Sequence, residues 1–96
     1  MAKVSRHVPA RLGEKLTLIR KRLEVATYED MIKRLRCAEV SLYRSAICEY
    51  EQNKREPPLI VLLNYARLAN IPMEMLVDDS LELPECLPVK RRRRRN

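Results

Sequence analysis

The side chains that offer the most chemistry in this sequence are basic: 20 lysine and arginine residues stand against 13 acidic residues. Residues 1–58 hold 13 basic and 8 acidic residues, residues 59–89 hold one basic and five acidic residues, and residues 90–95 are all basic. This uneven placement indicates that the basic residues bind a polyanion and do not merely keep the chain in solution. For residues 90–95 the alternative is that the basic side chains are simply solvated and bind no partner.

Side chains suited to catalysis or metal binding are few and scattered. His7 stands alone in a polar segment, and Cys37, Cys48 and Cys86 are odd in number and widely spaced. Such spacing indicates neither a disulfide framework nor a zinc site. The residues show no nucleophile–base pair. A glycine-rich phosphate loop is also lacking, since Gly13 is the single glycine. We therefore expect a protein that is not an enzyme and carries no metal and no cofactor.

Membrane association is not expected either. No apolar run approaches the roughly 20 residues that a membrane-spanning helix needs. The N-terminus is polar and basic, unlike a signal peptide. The sequence therefore predicts a cytoplasmic protein without a membrane partner.

Apolar periodicity predicts an all-α fold of five short helices between residues 10 and 79. The first helix covers about residues 10–24, and Thr27 is a good N-cap for the second, which ends between Arg36 and Val40. Ser41 can cap the third helix, whose inner face is formed by four residues: Leu42, Ala46, Ile47 and Tyr50. Residues 1–9 are expected to form a flexible N-terminal arm, and residues 80–96 an extended segment with an arginine-rich tail.

Turn-forming residues separate the later helices. Asn53 is the best candidate for a positive φ after the third helix, because asparagine tolerates the left-handed region. Pro57 or Pro58 suits the first turn of the fourth helix, Asn70 its end, and Pro72 the start of the fifth.

One motif within these elements combines an apolar residue, an aromatic–glutamate pair and a basic turn before proline: Ile47-x-x-Tyr50-Glu51-x-Asn53-Lys54-Arg55-x-Pro57. With Thr27-x-Glu29-Asp30-Met31 before it, this pattern resembles the helix-turn-helix domain of phage repressors and Cro proteins, the XRE family. The resemblance covers about residues 11–79. It implies a five-helix, lambda-repressor-like domain that binds operator DNA as a homodimer and regulates transcription.

Two features depart from the family pattern. The stretch between the second and third helices is several residues longer than usual, so either the second helix has an extra turn or a loop forms around Arg36–Ser41. The family often has glutamine at the start of the second helix, where it contacts a phosphate. Tyr28 stands there instead, and its hydroxyl can still donate a hydrogen bond.

If the third helix buries its apolar face, Arg44, Ser45 and Glu49 face outward, at positions that match the base contacts of the family. Arg44 could bind guanine O6 and N7, Ser45 either kind of base, and Glu49 a cytosine amino group. The alternatives are a phosphate contact or a plain surface charge for Arg44, and an ion pair with Arg44 or Lys54 for Glu49.

Contacts to the DNA backbone are expected from five further residues: Tyr28, Tyr43, Asn53, Lys54 and Arg55. The resemblance also implies a structural ion pair between Arg20 and Glu51, with Lys21 as the alternative partner. The tail could follow a groove or bind RNA with six basic residues: Lys90, Arg91, Arg92, Arg93, Arg94 and Arg95.

The leading hypothesis is therefore a sequence-specific regulator, most plausibly a repressor, that binds double-stranded DNA as a homodimer and is associated with a bacterial or phage nucleoid. The apolar runs at residues 59–63 and 81–87 are candidate dimer surfaces. The main alternative is an antitoxin that holds a protein partner through residues 80–89 and binds DNA only to control its own operon. RNA binding through the tail is a third possibility.

Overall fold

The computed structural model describes residues 9–88. Those residues form five α-helices and no β-strand: α1 (Leu12–Arg22), α2 (Tyr28–Leu35), α3 (Arg44–Glu51), α4 (Leu59–Ala69) and α5 (Glu74–Val77). The predicted all-α class is therefore confirmed. The predictions for His7, for most of the N-terminal arm and for the tail from Lys90 to Arg95 fall outside the described residues. Between residues 9 and 88, no helix is long and apolar enough to cross a membrane.

Local residue chemistry accounts for several helix ends. The Thr27 hydroxyl accepts a hydrogen bond from the backbone N–H of Asp30 at 3.1 Å and so caps α2 as predicted. Asn70 ends α4 in the left-handed region at φ 60°, and Asn53 takes φ 59° in the turn after α3. Both asparagines confirm the sequence analysis, because this backbone conformation costs them less than it costs most other residues.

The connection between α2 and α3 differs from one of the expectations. Arg36 takes φ 49°, which ends α2 at Leu35, so the additional residues form a loop over residues 36–43 and not an extra helical turn. The prediction that Ser41 caps α3 was wrong. Tyr43 occupies the N-cap position, without a capping hydrogen bond from its side chain, and Leu42 lies just before the helix.

The core is built from the inward faces of α1, α3 and α4. Leu16, Ile19, Ile47 and Tyr65 are all completely buried there. The Tyr65 hydroxyl is the one buried side-chain polar atom in residues 9–88 that has no hydrogen-bond partner. Burial raises the pKa of Tyr65, so this hydroxyl stays neutral.

A close contact joins the first turn of α1 to the end of α3. The Gly13 N–H donates to Asn53 Oδ1 at 2.9 Å, and Asn53 Nδ2 donates to the Ala10 carbonyl at 3.0 Å. A Cβ atom on Gly13 would lie 2.5 Å from the Glu51 carbonyl oxygen. The single glycine of the chain is therefore required by packing, since no side chain fits between these two backbones.

The segment after α5 folds back along α1. The Asp79 carboxylate accepts the backbone N–H groups of Ala10 and Arg11 at 2.9 and 3.1 Å, which supplies the cap that α1 lacks locally. The Arg11 guanidinium makes two hydrogen bonds of 3.0 Å to the Glu82 carboxylate. The extended segment predicted from residue 80 therefore begins packed against the helical domain.

Further contacts join α1 to α5 and to the segment after it. The Lys15 side chain is completely buried, and its Nζ donates to the carbonyls of Met75 at 2.7 Å and Asp78 at 2.9 Å. Leu83 is buried against the core, and Arg22 Nη1 donates to the Pro84 carbonyl at 2.7 Å. Lysine is rarely buried without a partner, and here two carbonyl oxygens replace its water.

Substituting Gly13→Ala should lower the free energy of unfolding by about 1–3 kcal/mol, because the added methyl group would press against the backbone of α3. In an unobstructed helix the same change stabilises by about 1 kcal/mol, so the expected sign is the opposite of the usual one. Urea denaturation measures the change. Lys21→Ala, at an exposed position of α1, is the control and should have little effect; an unchanged or more stable Gly13→Ala protein would contradict the packing described above.

Candidate nucleic-acid interface

α3 has two faces of opposite character. Ala46, Ile47 and Tyr50 are buried against the core, while Arg44 and Ser45 are exposed to solvent. This division follows from helical spacing, since residues three or four positions apart share a face. The outward face of α3 is thus exposed at Arg44 and Ser45 and half-buried at Cys48 and Glu49.

A groove of about 490 Å³ runs beside this outward face. α3 and the turn after it contribute most of its lining, and α2 contributes Tyr28. The lining residues are Tyr28, Arg44, Ser45, Cys48, Glu49, Gln52 and Lys54. Tyr28, Cys48 and Glu49 are half-buried, whereas the two basic side chains, Ser45 and Gln52 are exposed.

Two exposed ion pairs hold arginines of this region. Arg44 Nε lies 3.4 Å from Glu29 Oε2 of α2, with the two side chains 67% and 58% exposed. Arg55 Nε donates to Glu49 Oε1 at 2.8 Å. The alternative of an ion pair for Glu49 is thus realised in the free protein, with Arg55 as the partner and not Arg44 or Lys54. Exposed pairs contribute about 0–1 kcal/mol, so both arginines can exchange partners at low cost.

Tyr28 links three helices at one side of the groove. The Arg20 guanidinium carbon lies 5.0 Å from the centre of its ring, a cation–π distance. The neighbouring Cys48 thiol of α3, together with partial burial, raises the pKa of Tyr28. Tyr28 thus lies against both α1 and α3, which gives it a structural role in addition to the predicted phosphate contact.

The ion pair between Arg20 and Glu51 is present and largely buried. Arg20 Nε and Nη2 donate to the two Glu51 carboxylate oxygens at 2.7 and 3.0 Å, and the side chains are 14% and 6% exposed. Arg20 Nη1 also donates to the Val25 carbonyl at 3.3 Å. Lys21, the alternative partner, points to solvent. A two-pronged contact of this kind fixes the end of α3 against α1.

Of the residues predicted to contact the DNA backbone, Lys54 and Tyr43 are exposed beside α3. Asn53 differs from them, because its amide group bonds to Gly13 and Ala10 within the domain. Its use as a helix cap was missed by the sequence analysis, since the contact spans 40 residues. Arg55 is exposed but paired with Glu49.

Cys48, Gln52 and Glu29 lie beside the predicted base-contact residues, and the sequence analysis assigned them no role. Cys48 and Gln52 follow Arg44 at steps of four, a signal that places all three on one line of the helix. Glu29 belongs to α2, and no local pattern reveals its contact with Arg44 across the loop.

No family model, curated protein or solved structure matches this chain. Among residues 9–88, no group of three or more histidine, cysteine or acidic side chains is placed to hold a metal ion. The resemblance to phage repressors and Cro proteins therefore remains a prediction.

Arg20→Ala should lower the free energy of unfolding by about 3 kcal/mol, because it leaves the buried Glu51 carboxylate without its partner. Arg34→Ala is the matched control: Arg34 pairs with Asp30 at 3.7 Å, both side chains are 46% exposed, and the expected loss is under about 1 kcal/mol. Thermal and urea denaturation compare the two. Equal losses would mean that the Arg20–Glu51 pair contributes no more than a surface pair.

Proposed function

We propose that this chain is a sequence-specific double-stranded DNA-binding protein that regulates transcription, with α2, the following loop and α3 acting as a lambda-repressor-like helix-turn-helix unit. The observation that supports this function best is the open outward face of α3, carrying Arg44 and Ser45, on a helix whose opposite face is buried. A helix held by one face and exposed along the other suits insertion into the major groove.

The electrostatics of the face agree with a polyanionic partner. Arg44, Lys54 and Arg55 lie beside the outward side of α3, and the two arginines form ion pairs with exposed Glu29 and half-buried Glu49. When DNA approaches, phosphates or guanine acceptors can replace Glu29 as the partner of Arg44. The exposed pair thus keeps the arginine in place in the free protein without a large cost of release.

The proposal includes a homodimer that binds a two-fold related operator in the cytoplasm and represses transcription. Leu59, at the start of α4, is 73% exposed and is the member of the apolar run at 59–63 that can contact a second copy. Val61 and Leu62 of the same run are buried in the domain's own core.

The antitoxin alternative receives less support. It requires residues 80–89 to bind a partner, but Glu82, Leu83 and Pro84 already contact α1 or the core. A partner that used this segment would first have to displace those contacts. RNA binding through the tail concerns residues outside the described part of the chain.

Arg44→Ala and Lys54→Ala should affect DNA binding differently. Duplexes are first selected from a random-sequence pool with the wild-type protein, and affinities are then measured by fluorescence anisotropy on a selected and a scrambled duplex. Arg44→Ala should cost about 1–3 kcal/mol on the selected duplex and little on the scrambled one. Lys54→Ala should weaken both about equally and reduce the salt slope by about 1.

Two outcomes would contradict these assignments. If Arg44→Ala weakened both duplexes equally, Arg44 would be a backbone contact and not a base contact. If the pool yielded no enriched sequence with the folded protein, the proposal of sequence-specific DNA binding would be wrong.

Glu29→Gln should strengthen binding to the selected duplex by about two- to fivefold, because Arg44 no longer has to leave an ion pair. Removal of one negative charge alone could raise affinity slightly, so Glu74→Gln, at an exposed position of α5, is the control for net charge. The same anisotropy titrations measure both proteins. An equal gain in the two would show that the Glu29–Arg44 pair has no effect of its own.

A further inference from the structure

We propose that the groove beside α3 accepts the 5-methyl group of a thymine, against the sulfur of Cys48 and the ring of Tyr28, next to the guanine that Arg44 reads. The inference rests on the proposed function and adds to it a specificity for one base. It assigns base contacts to two residues, Cys48 and Tyr28, for which the sequence analysis predicted none.

The Cys48 sulfur already accepts a hydrogen bond within the protein. Gln52 Nε2 donates to Cys48 Sγ at 3.3 Å, and Tyr28 lines the same groove as Cys48. Cys48 is also half-buried in the groove. What remains for a ligand is the polarizable, apolar surface of the sulfur, which packs well against methyl groups and aromatic rings.

An apolar surface in the major groove selects one base. Each base pair shows donors and acceptors at its major-groove edge, but only thymine adds an apolar group, its C5-methyl. Small apolar side chains are the usual contacts of that methyl group. The combination of Cys48 and Tyr28 therefore favours thymine over cytosine at the position the groove faces.

Helix geometry fixes the distance to the guanine. Arg44 and Cys48 are one turn apart, which places their Cβ atoms about 5–6 Å apart. Successive bases of a strand are about 3.4 Å apart along the duplex axis. The thymine should therefore lie within two base pairs of the guanine contacted by Arg44.

The neighbouring carboxylate has a partner of its own in the free protein. Glu49, which could accept from a cytosine amino group, accepts from Arg55 Nε at 2.8 Å, at the turn after α3. Cys48 and Tyr28 lie in the groove beside it and offer an apolar contact that a carboxylate cannot make.

The test replaces thymine by deoxyuridine, which differs only in lacking the 5-methyl group, at each thymine of a duplex selected from the random-sequence pool. At one thymine, within two base pairs of the guanine whose contribution is lost in Arg44→Ala, the wild-type protein should bind deoxyuridine about fourfold more weakly. That factor corresponds to the burial of one methyl-sized group. Cys48→Ser, which exchanges the sulfur for a more polar oxygen, should bind both duplexes alike.

Cys86→Ser is the matched control, since Cys86 is exposed and outside the groove; it should discriminate like the wild type. The deoxyuridine measurement uses the wild-type protein and so does not depend on the folding of any variant. If the wild type bound thymine and deoxyuridine equally at every position, or if folded Cys48→Ser kept the preference for thymine, the inference would be overturned. The proposed sequence-specific DNA binding would still hold in either case. If no sequence were enriched, the proposed function itself would fail, and the inference with it.

Discussion

The contact between α1 and the end of α3 determines where the outward face of α3 lies. It combines the two-pronged hydrogen bonds from Arg20 to Glu51 with the close approach of Gly13 to the backbone at the end of α3. The first part is a directional, largely buried charge interaction, and the second is a steric limit. Together they fix both the rotation and the distance of α3, so that its apolar side is buried and its polar side is presented to solvent.

The two faces of α3 are stabilised by interactions of different strength. On the inner side, completely buried Ile47 and the neighbouring Ala46 and Tyr50 contribute the large, non-directional term of apolar burial. On the outer side, Arg44 and Arg55 have exposed partners whose contribution is small. A rigid scaffold with weakly engaged charges at its surface is suited to exchanging those charges with a ligand, because binding does not disturb the core.

Local signals in the sequence predicted the features that depend on a few adjacent residues. The cap at Thr27, the positive φ of Asn53 and the end of α4 at Asn70 all follow from the side chain at that position. The outward placement of Arg44 and Ser45 followed in the same way from helical periodicity. The Arg20–Glu51 pair came instead from the family resemblance, and the structure contains it.

Features that depend on distant residues could not be predicted. Asp79 caps α1 from 68 residues away, and Glu29 reaches Arg44 across a loop whose shape no short motif specifies. Ser41 had the right chemistry for a cap, yet α3 begins later, because Leu42 and Val40 pack partly against the core and extend the loop instead. Tertiary packing thus outweighs a favourable local residue.

The dependence of α1 on Asp79 has a consequence for the smallest part of the chain that can fold independently. A fragment that stopped at the last helix would lose both acceptors at the start of α1, together with the carbonyl of Asp78 that solvates Lys15. Because the same first turn of α1 also bonds to Asn53, that loss would extend to the turn after α3. The part of the chain that folds independently therefore includes the segment after α5. A boundary for expression or fusion belongs beyond Pro84, whose carbonyl accepts a hydrogen bond from Arg22.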